Sequence, residues 1–193
     1  PMSILEIVTM PNPVLRQKTH KVTDFGPNFQ KMVDDMIETM QAANGVGLAA
    51  PQIGQLLRMA VIESLPDVDE AGEEIPDSRQ LFVIVNPEIF WKSRDMADGI
   101  EGCLSIPGYL GEVERHEAIR VRGQDRTGKK VRLKLEGWTA RIFQHEIDHL
   151  DGVLFIDKLT APENFWTEEE FHEQFEDVED EEHDKEHVVG DSL

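Results

Sequence analysis

Gln144-His145-Glu146-Ile147-Asp148-His149-Leu150-Asp151-Gly152 decides how this 193-residue chain is read. Side chains four apart on a helix stand one above the other, so His145 and His149 share a face and can hold one divalent metal. Glu146 then lies beside that metal, where it can take a proton from water. The motif alone is suggestive only. With seven His and 23 Glu in the chain, His-Glu-x-x-His arises by chance in roughly three shuffled sequences of a hundred. The plain alternative is an exposed, charged helix turn. Ile142, Phe143, Ile147 and Leu150 give the segment a core face; the spacing predicts a helix starting near Trp138-Thr139 and stopped by Gly152.

Upstream of that helix, Val113–Arg122 alternates and leads into Lys130–Glu136 through the turn Asp125-Arg126-Thr127-Gly128, which reads as a hairpin. Asp98–Gly111 reads as a Gly-rich loop containing Cys103. Leu56–Glu63 and Gln80–Asn86 read as strands joined by an acidic surface loop, Ser64–Arg79. Gly45-Val46-Gly47-Leu48-Ala49-Ala50-Pro51-Gln52-Ile53-Gly54 is too rich in Gly and Ala for an ordinary strand and reads as a tight turn, where small residues let a backbone or ligand approach. It lacks the Gly-Lys-Ser/Thr of a phosphate loop and the third glycine of a dinucleotide fingerprint. Phe29, Met32, Val33, Met36, Ile37 and Met40 mark one face of a helix over Pro27–Asn44, a core stripe stopped by Asn44-Gly45. Residues 1–26 form an irregular arm. Downstream, Val153–Ile156 reads as a short strand.

Pro162 is taken as the end of the main unit, giving 1–162 as the catalytic domain and 163–193 as an appendage. In the latter, Thr167-Glu168-Glu169-Glu170 is a capping box before Phe171, Phe175 and Val178 at helical spacing; beyond Glu179 the charge density predicts disorder and a solubility tail. Residues 163–193 carry 14 acidic side chains against one lysine, so they hold −13 of the net charge of −20. Neither part offers the basic face that phosphate neutralisation needs, so nucleic-acid binding is not expected. One cysteine excludes an internal disulfide and suits a reducing cytoplasm. No apolar run nears the roughly 18 residues of a membrane span, and the N-terminus lacks a signal-peptide pattern.

A catalytic site of this kind takes three protein ligands and keeps one position for water. The layout with a third His six positions after the second is excluded, because Phe155 stands there. A glutamate about 20 residues downstream, among Glu168, Glu169 and Glu170, is one candidate. Cys103, in Glu101-Gly102-Cys103-Leu104-Ser105, is another: it can ligate as thiolate, although a lone Cys is usually a small apolar core residue. A structural zinc site would need a fourth protein ligand; no second Cys exists, and His20 or His116 could serve only by chance of folding.

Three segments, Gly45–Gln52, Glu101–Ser105 and Gln144–His149, resemble the motifs of the peptide deformylase family, in that family's order and spacing over about residues 3–160. The resemblance implies an α+β fold of small antiparallel sheets around a central metal-binding helix, with an N-terminal and a C-terminal helix. It implies a hydrolase that removes the formyl group from formyl-methionine at the start of newly made polypeptides, acting in the cytoplasm near the ribosome, with a monomer favoured. Cys103, His145 and His149 would be the metal ligands, with iron(II) in the cell and zinc, nickel or cobalt as alternatives. Glu146 would move the proton, while Gln52 and the Leu104 backbone N–H would meet the charge on the formyl oxygen. Backbone around Val46 and Gly47 would pair with the substrate, and Val46 and Ile142 would line the methionine pocket. Gln144 and Asp148 flank the ligands and are expected to orient an imidazole or a loop, with a simple salt bridge as the alternative for Asp148.

Overall fold

The computed structural model describes residues 3–175. The helix α1, Pro27–Ala42, starts on Pro27 and is stopped by Asn44 in left-handed backbone (φ 53°). Strands β1 (Gly47–Ala49), β2 (Met59–Glu63) and β3 (Leu81–Lys92) come next. Then come β4 (Met96–Cys103), β5 (Ile106–His116), β6 (Ala118–Gln124) and β7 (Lys130–Glu136). The helix α2, Gly137–Leu150, precedes β8, Phe165–Thr167.

Two antiparallel sheets result, one of five strands in the order β1-β2-β3-β6-β7 and one of three in the order β4-β5-β8. The five-stranded sheet buries both faces. Ala60, Ile62, Ile84, Ile119, Val121 and Leu135 turn toward α2 and meet Phe143, Ile147 and Leu150. The alternate residues Met59, Val61 and Val85 turn toward Val33, Met36 and Met40 of α1. The period of two in the strands thus sends each helix to its own side, and α2 becomes the central element.

The arm at 3–26 is irregular apart from a 3-10 turn at Pro13–Arg16, but it has a task. Val8 N–H donates to the Gln52 carbonyl, Met10 N–H to the Ser105 carbonyl and Thr19 N–H to the Leu150 carbonyl. Three chain segments far apart in sequence are strapped together by one strip of backbone.

Several expectations about local structure change, among them the single strand over Val113–Arg122, which breaks at Glu117 between β5 and β6 of different sheets. Gly47–Ala49 is a strand at the sheet edge rather than part of a tight turn; the turn comes after it, as a 3-10 helix over Ala50–Ile53. Cys103 lies at the end of a strand in a two-stranded hairpin, not in a loop. Val153–Ile156 does not pair as a strand, and Phe155–Lys158 forms a 3-10 turn instead. The strand begun at residue 81 runs on to Lys92 through a bulge. The chain continues past Pro162 into β8, which pairs with β5. Thr167 and Glu170 do form the capping box, bonding each other's backbone N–H, and residues 168–175 are helical. Val178 and the expected disorder beyond Glu179 lie outside the described residues.

Candidate metal centre

Helix α2 presents His145 and His149 one turn apart, with ring centroids 5.0 Å from each other. The end of β4 brings Cys103 to the same point. The sulfur stands 3.4 Å from His149 Nε2, and one ligand atom from each of Cys103, His145 and His149 lies within 4.8 Å of the others. Among the described residues this is the only group of three or more such side chains so gathered. Glu168, Glu169 and Glu170 do not join it; Glu170 is held as a cap by Thr167. His116 gives Nδ1 to the Ser93 carbonyl, 2.8 Å away, and His20 pairs with Leu57.

The donor set fits a divalent cation. Burial drives His149 well below its ordinary value, so it is neutral and its nitrogen lone pair is available. Burial also disfavours a charged His145, yet Cys103 and Glu101, facing its two ring nitrogens, push it up to about 10. A ring gripped between two such acceptors sits where positive charge is wanted. One sulfur and two imidazoles are a donor set that could hold zinc, iron, cobalt or nickel.

Glu101 is the residue that sequence reasoning quoted without giving it a role. Its carboxylate accepts from His145 Nδ1 (2.8 Å), from Arg115 Nε and Nη2 (2.9 and 2.8 Å) and from Arg141 Nη1 (2.8 Å). Holding Nδ1 this way turns the other ring nitrogen inward and fixes the tautomer. Burial alone would raise the Glu101 carboxyl, but the bonds and charges of Arg115 and His145 outweigh it and hold it far below the usual carboxylate range. The only signal in the sequence was an acid placed two residues before the cysteine.

Asp148 touches neither ligand. It pairs with Arg115 Nη1 at 2.5 Å and with Lys158 at 3.0 Å, so its effect on His145 passes through Arg115 and Glu101. Gln144 likewise holds no imidazole: it accepts from His116 N–H and donates to the His116 carbonyl, pinning the end of β5 to α2.

Gln52 is buried in the 3-10 turn after β1. Its Oε1 accepts from Ala49 N–H at 2.9 Å, which leaves Nε2 to point at Ser105 Oγ (3.2 Å) and Cys103 Sγ (3.6 Å). The amide therefore turns its donor side toward the sulfur. Ser105, fully buried, is a second residue given no role by the sequence. Glu146 is buried on the same helix as the two histidines, and among the described residues nothing bonds its Oε2. Burial pushes its carboxyl up to about 7, with Glu101 adding to the rise and His145 and Arg115 opposing it.

A pocket of about 470 Å3 opens beside these groups. Val46, Gly47, Leu104 and Ile142 line it together with Cys103, His145 and Glu146, so all the residues expected to bind substrate stand on its wall. β1 is the sheet edge on this side; the strand, and the Val46 carbonyl just before it, bond to β2 on one flank only.

The model of the family described as polypeptide deformylase matches residues 4–165. The peptide deformylase of Symbiobacterium thermophilum is 52% identical over 159 residues, covering 82% of this chain and 68% of its own. Among solved structures, the peptide deformylase of Thermotoga maritima aligns with a TM-score of 0.73 at 39% identity, over 82% of this chain and 99% of its own. A class I type b peptide deformylase from Acinetobacter baumannii, with Met-Ala-Ser bound, aligns with a TM-score of 0.72 at 34% identity, over 81% and 98%.

Proposed function

This chain belongs to the polypeptide deformylase family, metal-dependent hydrolases that remove the N-formyl group from nascent polypeptides, and we propose that it does so with Cys103, His145 and His149 as the ligands of one divalent metal. The observation that carries the assignment is the convergence of that sulfur and those two imidazoles from separate elements on one point. When bound, the metal lowers the pKa of the attacking water and draws charge from the formyl oxygen.

The chain's own residues do the rest. Glu146 accepts the proton of the attacking water and passes it to the departing amine, a role for which a carboxyl poised near neutrality is suited. The Gln52 side-chain N–H and the Leu104 backbone N–H donate to the formyl oxygen as charge gathers there; one such donor is worth about 2.7–4 kcal/mol of transition-state stabilisation. The peptide lies along the free edge of β1. Strand alternation turns the Gly47 N–H and C=O outward, because Ala49 N–H leaves the ladder for Gln52. Recognition through main chain makes the enzyme tolerant of the residues after methionine, and Met-Ala-Ser in the Acinetobacter baumannii structure is a peptide of the length such an edge accepts. Val46 and Ile142 form the apolar wall for the methionine side chain. The catalytic unit then runs through β8, with the acidic remainder as an appendage.

The test is formate release from a formyl-Met peptide by the metal-loaded protein. Glu146→Ala should lose about 10²–10⁴-fold in turnover while keeping its metal. Equal activity in both forms would reject the assignment. For the metal we favour iron(II). Iron beside a thiolate is open to oxidation, so activity should decay in air with iron and persist with nickel or cobalt; equal persistence would argue against iron. We place the enzyme in the cytoplasm as a monomer acting on chains as they leave the ribosome. No helix among the described residues is long and apolar enough to cross a membrane.

A further inference from the structure

Helix α1 covers only part of its side of the five-stranded sheet. Its core partners are Leu48, Met59, Val61 and Val85 of β1, β2 and early β3. In β6 and β7, Ile119, Val121 and Leu135 face α2. Alternation then sends Arg120, Arg122, Arg132 and Lys134 out from the area that α1 leaves bare. β3 adds Phe90 and Trp91, 37% and 43% exposed. The guanidinium of Arg120 lies 4.8 Å from the Trp91 ring centre, and those of Arg122 and Arg132 lie 5.7 and 5.6 Å from that of Phe90.

The register makes this arrangement costly. Arg120 stands opposite Lys134 and Arg122 opposite Arg132, and like charges directly across a ladder destabilise it. Glu88 relieves Arg122 with two bonds of 2.9 Å. Among the described residues, Arg120, Arg132 and Lys134 have no carboxylate partner. The chain has 39 acidic side chains against 19 basic ones, so a glutamate opposite either arginine was an available remedy. A local conflict retained on an exposed face is the mark of a binding surface.

We infer that this face binds RNA through its phosphate backbone. Arginine forks match phosphate oxygens in pairs, and guanidiniums and aromatic rings are planes on which bases stack. A lipid surface would call for apolar side chains free to insert, whereas both rings here lie against guanidiniums. The basic side chains come from two neighbouring strands, and the acidic surplus elsewhere in the chain hides them in the net charge. Deformylation of nascent chains, as proposed above, would make ribosomal RNA the RNA at hand; the binding itself does not depend on that reading.

The test is fluorescence anisotropy of a labelled RNA hairpin titrated with the full chain, comparing the parent with the double variant R132E/K134E at low and near-physiological salt. The variant sets glutamates opposite Arg122 and Arg120, so it should melt no lower than the parent. Its formate release from a formyl-Met peptide should be unchanged, a readout separate from RNA binding. The parent should bind with steep salt dependence. The variant should bind at least about tenfold more weakly, with a slope of log affinity against log salt shallower by about 2. Absence of RNA binding by the parent, or equal binding by the variant, would overturn the inference. So would phosphatidylserine vesicles or polyglutamate binding the parent as tightly as RNA does.

Discussion

A Cβ added at Gly47 would fall within 2.7 Å of the Glu146 carboxyl carbon, so the absence of a side chain there is what lets the buried carboxylate reach the pocket. Gly47→Ala should therefore displace Glu146 while sparing the ligands. The sign of the pH effect is set by the burial that raises Glu146 to about 7. Below that pH the carboxyl is protonated and cannot accept a proton, so kcat/KM of the parent should fall as pH drops through about 7. Moved toward solvent, the carboxyl would regain a lower value. The variant should lose at least about tenfold in kcat with full metal content, and its acid limb should shift to lower pH. An unshifted limb with unchanged kcat would show that Gly47 leaves Glu146 untouched. His145, Glu146 and His149 were legible in the sequence because helical spacing fixes their relation. Glu101 and Ser105 were not, since their roles exist only when a strand end meets a helix.

Hairpin β4–β5 and helix α2 are joined by buried charge rather than by apolar contact alone. Arg115 comes from β5, Glu101 from β4, and Arg141, Asp148 and His145 from α2; Glu101 and Arg115 are about 5% and 3% exposed at the side chain. Removing the carboxylate would leave the Arg141 guanidinium without an anion and Arg115 with Asp148 alone. Glu101→Gln should cost about 3–5 kcal/mol of stability near neutral pH and weaken metal retention. Because the folded carboxyl lies far below its unfolded value, its contribution is present above about pH 4.3 and is lost as pH falls further. Chemical denaturation at several pH values should thus show the gap between parent and variant closing below about pH 4; a constant gap would mean the ion cluster is not its source. The inner part of this hairpin, Asp98–Gly111, was read as a loop because glycine is a poor strand former. Gly99 is required by packing, as a Cβ there would fall 2.7 Å from the Arg141 guanidinium carbon. Likewise β1 was taken for a turn because Gly47 and Ala49 lack the bulk that marks strands.

Across the whole molecule, the sheets, arm and helices converge on one point that no single segment defines. Helices α1 and α2 were readable from periodicity, because each carries a clear apolar stripe, whereas the α+β class and the central place of α2 came from the family resemblance. The division into a five-stranded and a three-stranded sheet was not, since strand order depends on pairings between distant segments such as β3 with β6 and β5 with β8. The arm looked irregular in sequence, and only its backbone bonds to Gln52, Ser105 and Leu150 reveal it as the strap that holds the motifs in register. What the molecule builds is a cluster of one sulfur and two imidazoles, with the buried Glu146 carboxyl lining the same pocket. X-ray absorption at the metal edge of the reconstituted protein tests this most directly. The expected shell holds one sulfur and two imidazole nitrogens, with the remaining position filled by an oxygen from water. A shell without sulfur, or one closed by a fourth protein side chain, would contradict it.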